Sequence, residues 1–230
     1  MKNVSIIVSV VVFFALTCCQ KETPIFESKS TVHFEKDSVV HPFYIQPSSV
    51  TQDTVDIVIK LVGKLASHDR VVEVPIVEST ATAGVHYKLL GPVVLSKDSF
   101  NAHLKVVLYR TEDIATDTKL IKFEIRDSEE VFVAGFPENT SFRLYFSDKI
   151  EKPTWWDGTF YEFPFSEIRM KFYIDVMGSA NAPNTFAPEN GFMYTVFKLK
   201  RALVDYNATH EEPLSDESGA ISWEVDWINY

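Results

Sequence analysis

The sequence predicts a mainly β chain: an antiparallel sandwich followed by a small α+β unit. Three observations carry this. Apolar residues recur at every second position from about residue 31 to residue 147. Between Ser166 and Tyr206 the spacing changes to steps of three and four. A proline beside an aromatic cluster, Pro153 with Trp155 and Trp156, marks the join between the two regimes. Period two is the signature of a strand with one face on a core, and steps of three and four are that of a helix.

The elements follow in order. Lys2 and the uncharged run Val4–Cys19 precede a polar stretch, Gln20-Lys21-Glu22. A basic start and an apolar run too short to span a bilayer read as a secretory signal, expected over residues 1–18. Leu16-Thr17-Cys18-Cys19 resembles a bacterial lipobox, with an aliphatic residue three positions before the lipidated cysteine. That register points to Cys19. Cys18 stands where Gly, Ala or Ser is usual and is the alternative. These are the only two cysteines among 230 residues, so no fold-closing disulfide is expected. Residues 19–30 are polar and read as a tether.

The sandwich is expected over residues 31–150. Val55, Ile57, Ile59 and Leu61 alternate with more polar positions, as do Leu104, Val106 and Leu108, then Ile121, Phe123 and Ile125, and Phe142, Leu144 and Phe146. Val72, Val74 and Ile76 alternate too, with Pro75 inside the run, which predicts an edge or bulged strand. Shorter strands are expected at Thr31–Phe34, His41–Ile45 and Val131–Ala134. Seven or eight strands without a helical period read as a sandwich.

The C-terminal unit is expected over residues 151–230. Ser166 reads as a helix cap and Gly178 as its stop, with Ile168, Phe172 and Val176 on one apolar face. Phe192, Val196, Leu199, Leu203 and Tyr206 form the stripe of a second helix, whose outer face carries Lys198, Lys200 and Arg201. Residues 207–219 read as a polar loop. Ile221, Trp223, Val225 and Trp227 return to period two.

Ordered short segments then resemble a known family. They are Asp53-Thr54-Val55, Leu61-Val62-Gly63, Asp69-Arg70, Thr82-Ala83-Gly84 with His86-Tyr87, and Arg110-Thr111-Glu112-Asp113. Pro153, Trp155, Ser166 and Lys171 follow. The first half resembles a Calx-β type immunoglobulin-like sandwich. With the lipobox, the whole order is similar to Bacteroides-type lipoproteins labelled domain of unknown function 4843. The resemblance implies an envelope lipoprotein, often encoded beside SusC/SusD-like glycan uptake systems. It implies no activity and no functional residues.

Composition narrows the function. A formal net charge of −10 argues against gripping nucleic-acid phosphates. Six histidines show no HExxH spacing, and no CxxC, GxSxG or Walker loop is present. No enzyme, metal or cofactor is expected. The candidate calcium ligands are Asp113, Asp117, Asp127, Glu129 and Glu130, without the spaced loop of a dedicated site. Flat rings suit sugar faces, which makes Trp155, Trp156, Trp223 and Trp227 the candidate ligand-binding residues. The competing reading has those rings gluing the second unit to the sandwich. The expected protein is an outer-membrane, lipid-anchored, outward-facing module, an accessory or scaffold for glycan uptake. Its expected partners are the membrane, glycan, and importer components. A protein–protein module without a small ligand is the alternative.

Overall fold

A computed structural model describes residues 30–128, 132–133 as backbone, 139–160, 162–183 and 191–225. Cys18, Cys19, Glu129, Glu130 and Trp227 lie outside the described residues, as do the expected signal and nearly all of the tether.

The first half is a β-sandwich. One sheet has five strands in the order β10 (Phe132–Val133), β1 (Thr31–Phe34), β3 (Gln52–Val62), β8 (Asn101–Tyr109) and β6 (Tyr87–Leu89). The other has four: β2 (Ser38–Pro42), β11 (Ser141–Ser147), β9 (Lys119–Glu124) and β5 (Ile76–Ser79). A short pair, β4 (Arg70–Val72) with β7 (Val93–Leu95), completes it. Most pairs are antiparallel; β1–β10 and β2–β11 are parallel. The first two strands thus separate, one into each sheet.

The inward positions are those the alternation marks. Ile57, Ile59 and Leu61 of β3 are buried with Leu104, Val106 and Leu108 of β8. They face Ile121, Phe123, Phe142, Leu144 and Phe146 from the other sheet in one continuous cluster. Each such side chain contributes about 1.5–3 kcal/mol on full burial.

Two expectations change. The run through Pro75 is two strands, since β4 pairs with β7 and β5 pairs with β9. Proline has no amide hydrogen to give a ladder, and the chain changes sheets there. β5 is indeed an edge strand, with a register shift between Ile76 and Glu78. His41–Ile45 is strand only to Pro42, and Phe43–Ile45 is a 3-10 turn.

Among the described residues the second half holds the helices α1 (Trp156–Thr159), α2 (Glu167–Met177) and α3 (Phe192–Thr209). Ser166 caps α2 by accepting the Arg169 amide at 3.1 Å, and Gly178 ends it with φ +83. The predicted core stripe of α3 holds: Val196, Leu199 and Leu203 are buried, while Phe192 and Tyr206 are half-buried. The expected polar loop contains a two-residue hairpin, β12 (Ser215–Asp216) with β13 (Gly219–Ala220). Ile221, Trp223 and Val225 are buried in alternation, but residues 221–225 form no ladder.

A second hydrophobic cluster joins Trp156, Phe160, Tyr173, Ile174, Leu199 and Trp223. The aromatic rings therefore form the core of the helical half itself. The joint with the sandwich combines apolar contact, where Tyr44 and Ile150 pack against this cluster, with a polar network. Arg110 binds Asp148 with two bonds of 2.9 and 2.7 Å, and its remaining nitrogen reaches the carbonyls of Pro47, Val50 and Gln46. The turn so held presents Ser48, whose amide and hydroxyl both donate to Asp175 of α2.

The α2 cap continues into the hairpin. The Ser166 hydroxyl donates to Asp216 at 2.8 Å, and Arg169 Nε lies 3.1 Å from the same carboxylate. Asp216 is held below the ordinary carboxylate range, first by the Ser218 hydroxyl, against the opposing pull of burial, with Ser166 and Arg169 adding to it. A carboxyl whose folded pKa is depressed stabilises the fold above its unfolded pKa of about 4, and that contribution is lost as pH falls through the folded value. Asp216→Asn is expected to flatten the acid limb of stability below about pH 4. Urea midpoints against pH test this, and an unchanged acid limb would contradict it.

Candidate functional site

Helix α2 carries two apolar stripes. Met170, Tyr173 and Ile174 are buried, while Ile168 is exposed and Phe172 and Val176 are half-buried. The stripe legible in the sequence, Ile168 with Phe172 and Val176, is the less buried of the two. It lines a groove against α3, with a volume of about 680 Å³. That lies within the range of small-molecule sites, about 300–1,000 Å³.

Its apolar surface comes from Ile168, Phe172, Val176, Ala202, Tyr206 and Leu214. The Phe172 and Tyr206 rings meet edge to face at 6.5 Å and 88°. The His210 ring stacks on Tyr206 at 3.7 Å and 9°. His210 Nδ1 lies 2.8 Å from the Tyr206 carbonyl. A carbonyl only accepts, so Nδ1 carries the proton and the imidazole closes the helix end. Thr209 supports it by donating to the carbonyls of Asp205 and Tyr206.

Polar groups rim the groove: Lys171, Asp175 and Asp205. Lys171 and Asp175 also line a smaller cavity of about 190 Å³ on the sandwich side of α2, with Tyr44, Gln46, Arg110 and Asp148. The groove can therefore offer aromatic edges and faces to an apolar surface, and carboxylates and an ammonium to hydroxyls. No sequence motif announces it. The available signal was the fourfold spacing of Ile168, Phe172 and Val176 beside a second stripe one position away.

The candidate tryptophans fall elsewhere. Trp156 is 0% and Trp223 1% exposed. Trp156 Nε1 donates to the Phe163 carbonyl at 2.9 Å. A ring with no exposed face cannot stack on a ligand, so neither forms a platform. Trp155 is half-buried, packed on Trp156 and Tyr173 with ring centroids at 5.6 and 5.4 Å.

The buried His86 has the partners of a catalytic pair but not its freedom. Its Nδ1 accepts the Thr82 amide at 2.9 Å, so Nε2 holds the proton and faces Asp113 at 3.0 Å. The lone pair a general base needs is already used. Lys119 and Thr111 also bind Asp113, and Lys119 first among them holds its carboxyl well below the usual range. Asp117 lies 3.9 Å from the same ammonium. These two calcium candidates thus share a lysine cation. Among the described residues no group of three or more His, Cys, Asp or Glu is arranged to hold a metal.

Comparison with known proteins places the sequence. The family model described as domain of unknown function, DUF4843, matches residues 20–179. The chain belongs to the DUF4843 family. The match spans the sandwich and α2 of this DUF4843 protein, while residues 180–230, including α3, lie beyond it. None of the curated proteins matches its sequence.

Among solved structures, the apo form of the Calx CBD1 domain is similar at 14% identity and TM-score 0.40, over 54% of this chain and 100% of that one. CBD12 from CALX1.2 is similar at 13% and 0.38, over 51% and 43%. A protein of unknown function from Bacteroides ovatus is similar at 10% and 0.37, over 50% and 43%. The DUF4843 chain spans under half the length of the latter two. The mainly β sandwich of this chain rests on its own two sheets.

Proposed function

We propose that the protein is an accessory glycan-binding module of the outer membrane. It is anchored by lipid on Cys19, faces the cell exterior and serves a glycan importer without breaking bonds. The groove between α2 and α3 carries this reading. Its aromatic Phe172 and Tyr206 suit the C–H face of a sugar ring, and Lys171, Asp175 and Asp205 suit its hydroxyls. The lipobox-like residues before Cys19 support the anchor. Among the described residues no helix is long and apolar enough to cross a membrane.

Glycan-array binding by the detergent-solubilised full chain tests the reading. Tyr206→Ala and Phe172→Ala are each expected to weaken the bound glycan by up to about tenfold, the scale of one aromatic contact. No glycan bound, or binding indifferent to both substitutions, would refute the groove as the site.

The outer face of α3 favours a second reading, a protein–protein module. Phe197 and Val204 are 62% and 63% exposed, beside exposed Met193 and Tyr194. Pull-down from solubilised envelope, lost on Phe197→Asp, would favour it.

A further inference from the structure

The sandwich has two distinct poles, joined by β3. Its eleven residues rise about 3.3 Å each, roughly 33 Å from Gln52 to Val62. The Gln52 pole carries the turn that bonds to α2, and so holds the helical half and its groove. The Val62 pole receives the chain at Ser30. The Ser30 hydroxyl donates to the Lys64 carbonyl at 2.9 Å. Gly63, at φ +126, lies so close that a Cβ there would meet Ser30 Cα at 2.8 Å. The entering chain is thus fixed to this pole.

The same pole exposes apolar tips. Val62 is 56%, Leu65 39% and Phe100 53% exposed. Their loops are tied together, since Asp98 donates its amide to the Ala66 carbonyl, Leu61 to that of Phe100, and Lys97 to the Asp69 carboxylate. Lys64 and Lys97 are offset by Asp69 and Asp98, so attraction to this surface is apolar rather than electrostatic.

We infer that the Val62 pole rests on the lipid bilayer, with Phe100, Leu65 and Val62 entering its surface and the groove held at the far end. The inference rests on lipidation of Cys19. Residues 19–30 span at most about 40 Å when fully extended, which keeps this pole close to the membrane at high effective concentration. Apolar tips at a strand end and on the neighbouring loops, with lysine stems beside them, match a headgroup layer over hydrocarbon.

The test uses the acylated full chain in phosphatidylcholine vesicles containing nitroxide-labelled acyl chains. A bimane label is placed at Leu65→Cys, and in a separate chain at the exposed Ala208→Cys of α3. Quenching at 65 is expected to exceed that at 208 several-fold. Phe100→Asp should bring it down to the level at 208, and Val62→Asp serves should that variant misfold. Equal quenching at both positions would overturn the inference. So would a label at 65 shielded from water without quenching, which would mean that a protein covers the pole. Palmitate labelling of Cys19 is scored separately. Acylation without quenching at 65 strikes the pole alone; quenching without acylation strikes the anchor alone.

Discussion

Trp156→Ala is expected to destabilise the helical half by about 3–5 kcal/mol, the range for truncating a buried tryptophan. The indole is fully buried, and its ring lies 5.1 Å from Phe160, 5.4 Å from Phe165 and 6.3 Å from Trp223. Truncation leaves a cavity ringed by aromatics that sit on three different segments and cannot all move inward. It also leaves the Phe163 carbonyl without its indole donor. An orphaned buried acceptor costs a further ~1–3 kcal/mol, so the upper end of the range applies. Trp155→Ala should cost distinctly less, because Trp155 is already half in water. Urea unfolding of the two variants side by side tests the ranking, and a loss below about 1 kcal/mol for Trp156→Ala would contradict it.

Arg110→Ala is the second large effect. Its side chain is 10% and that of Asp148 17% exposed, and they meet in a two-pronged pair. Removing one partner of such a pair typically costs about 3–5 kcal/mol, because the other charge stays buried alone. Here the guanidinium also satisfies carbonyls of the turn that carries Ser48. Loss of Arg110 should therefore loosen the Ser48–Asp175 contact as well. Faster hydrogen exchange at the Ser48 amide would report this. Arg110→Lys should recover little, since an ammonium cannot serve carboxylate and carbonyls in one planar fork. A double variant lacking Asp148 too should be less damaged than the sum of the single ones. Additive losses would show that the pair itself matters little.

The sandwich was legible because burial there follows parity. Once Ile57 faces inward, Ile59 and Leu61 must follow, and the same rule orders β8, β9 and β11. Short strands such as Tyr87–Leu89 and Val93–Leu95 carry too few residues to show a period. Parity also says nothing of which strands pair, so the parallel β1–β10 and β2–β11 contacts were hidden.

The helical half was legible in its caps but not in its faces. Ser166 and Gly178 act locally, so position alone gave their roles. The α2 stripe of Ile168, Phe172 and Val176 was legible as an apolar face but not as a groove wall, because apolar spacing cannot distinguish a filled interface from an open groove. The tryptophans misled in the opposite sense, as a ring that can stack on a sugar can equally be buried whole. Asp148, Asp175 and Asp216 gave no signal, because their partners lie far away in sequence.

The parting of the first two strands has a kinetic consequence. β2 lies against β11 in a register that joins Ser38 to Arg143, about 100 residues later, so neither sheet closes until the chain is available to about residue 147. Contacts this remote make nucleation slow, in the millisecond-to-second class of all-β sandwiches. A nascent polypeptide with this wiring cannot complete either sheet until the residues of β10 and β11 have left the ribosome, so its first strands wait unpaired on that edge.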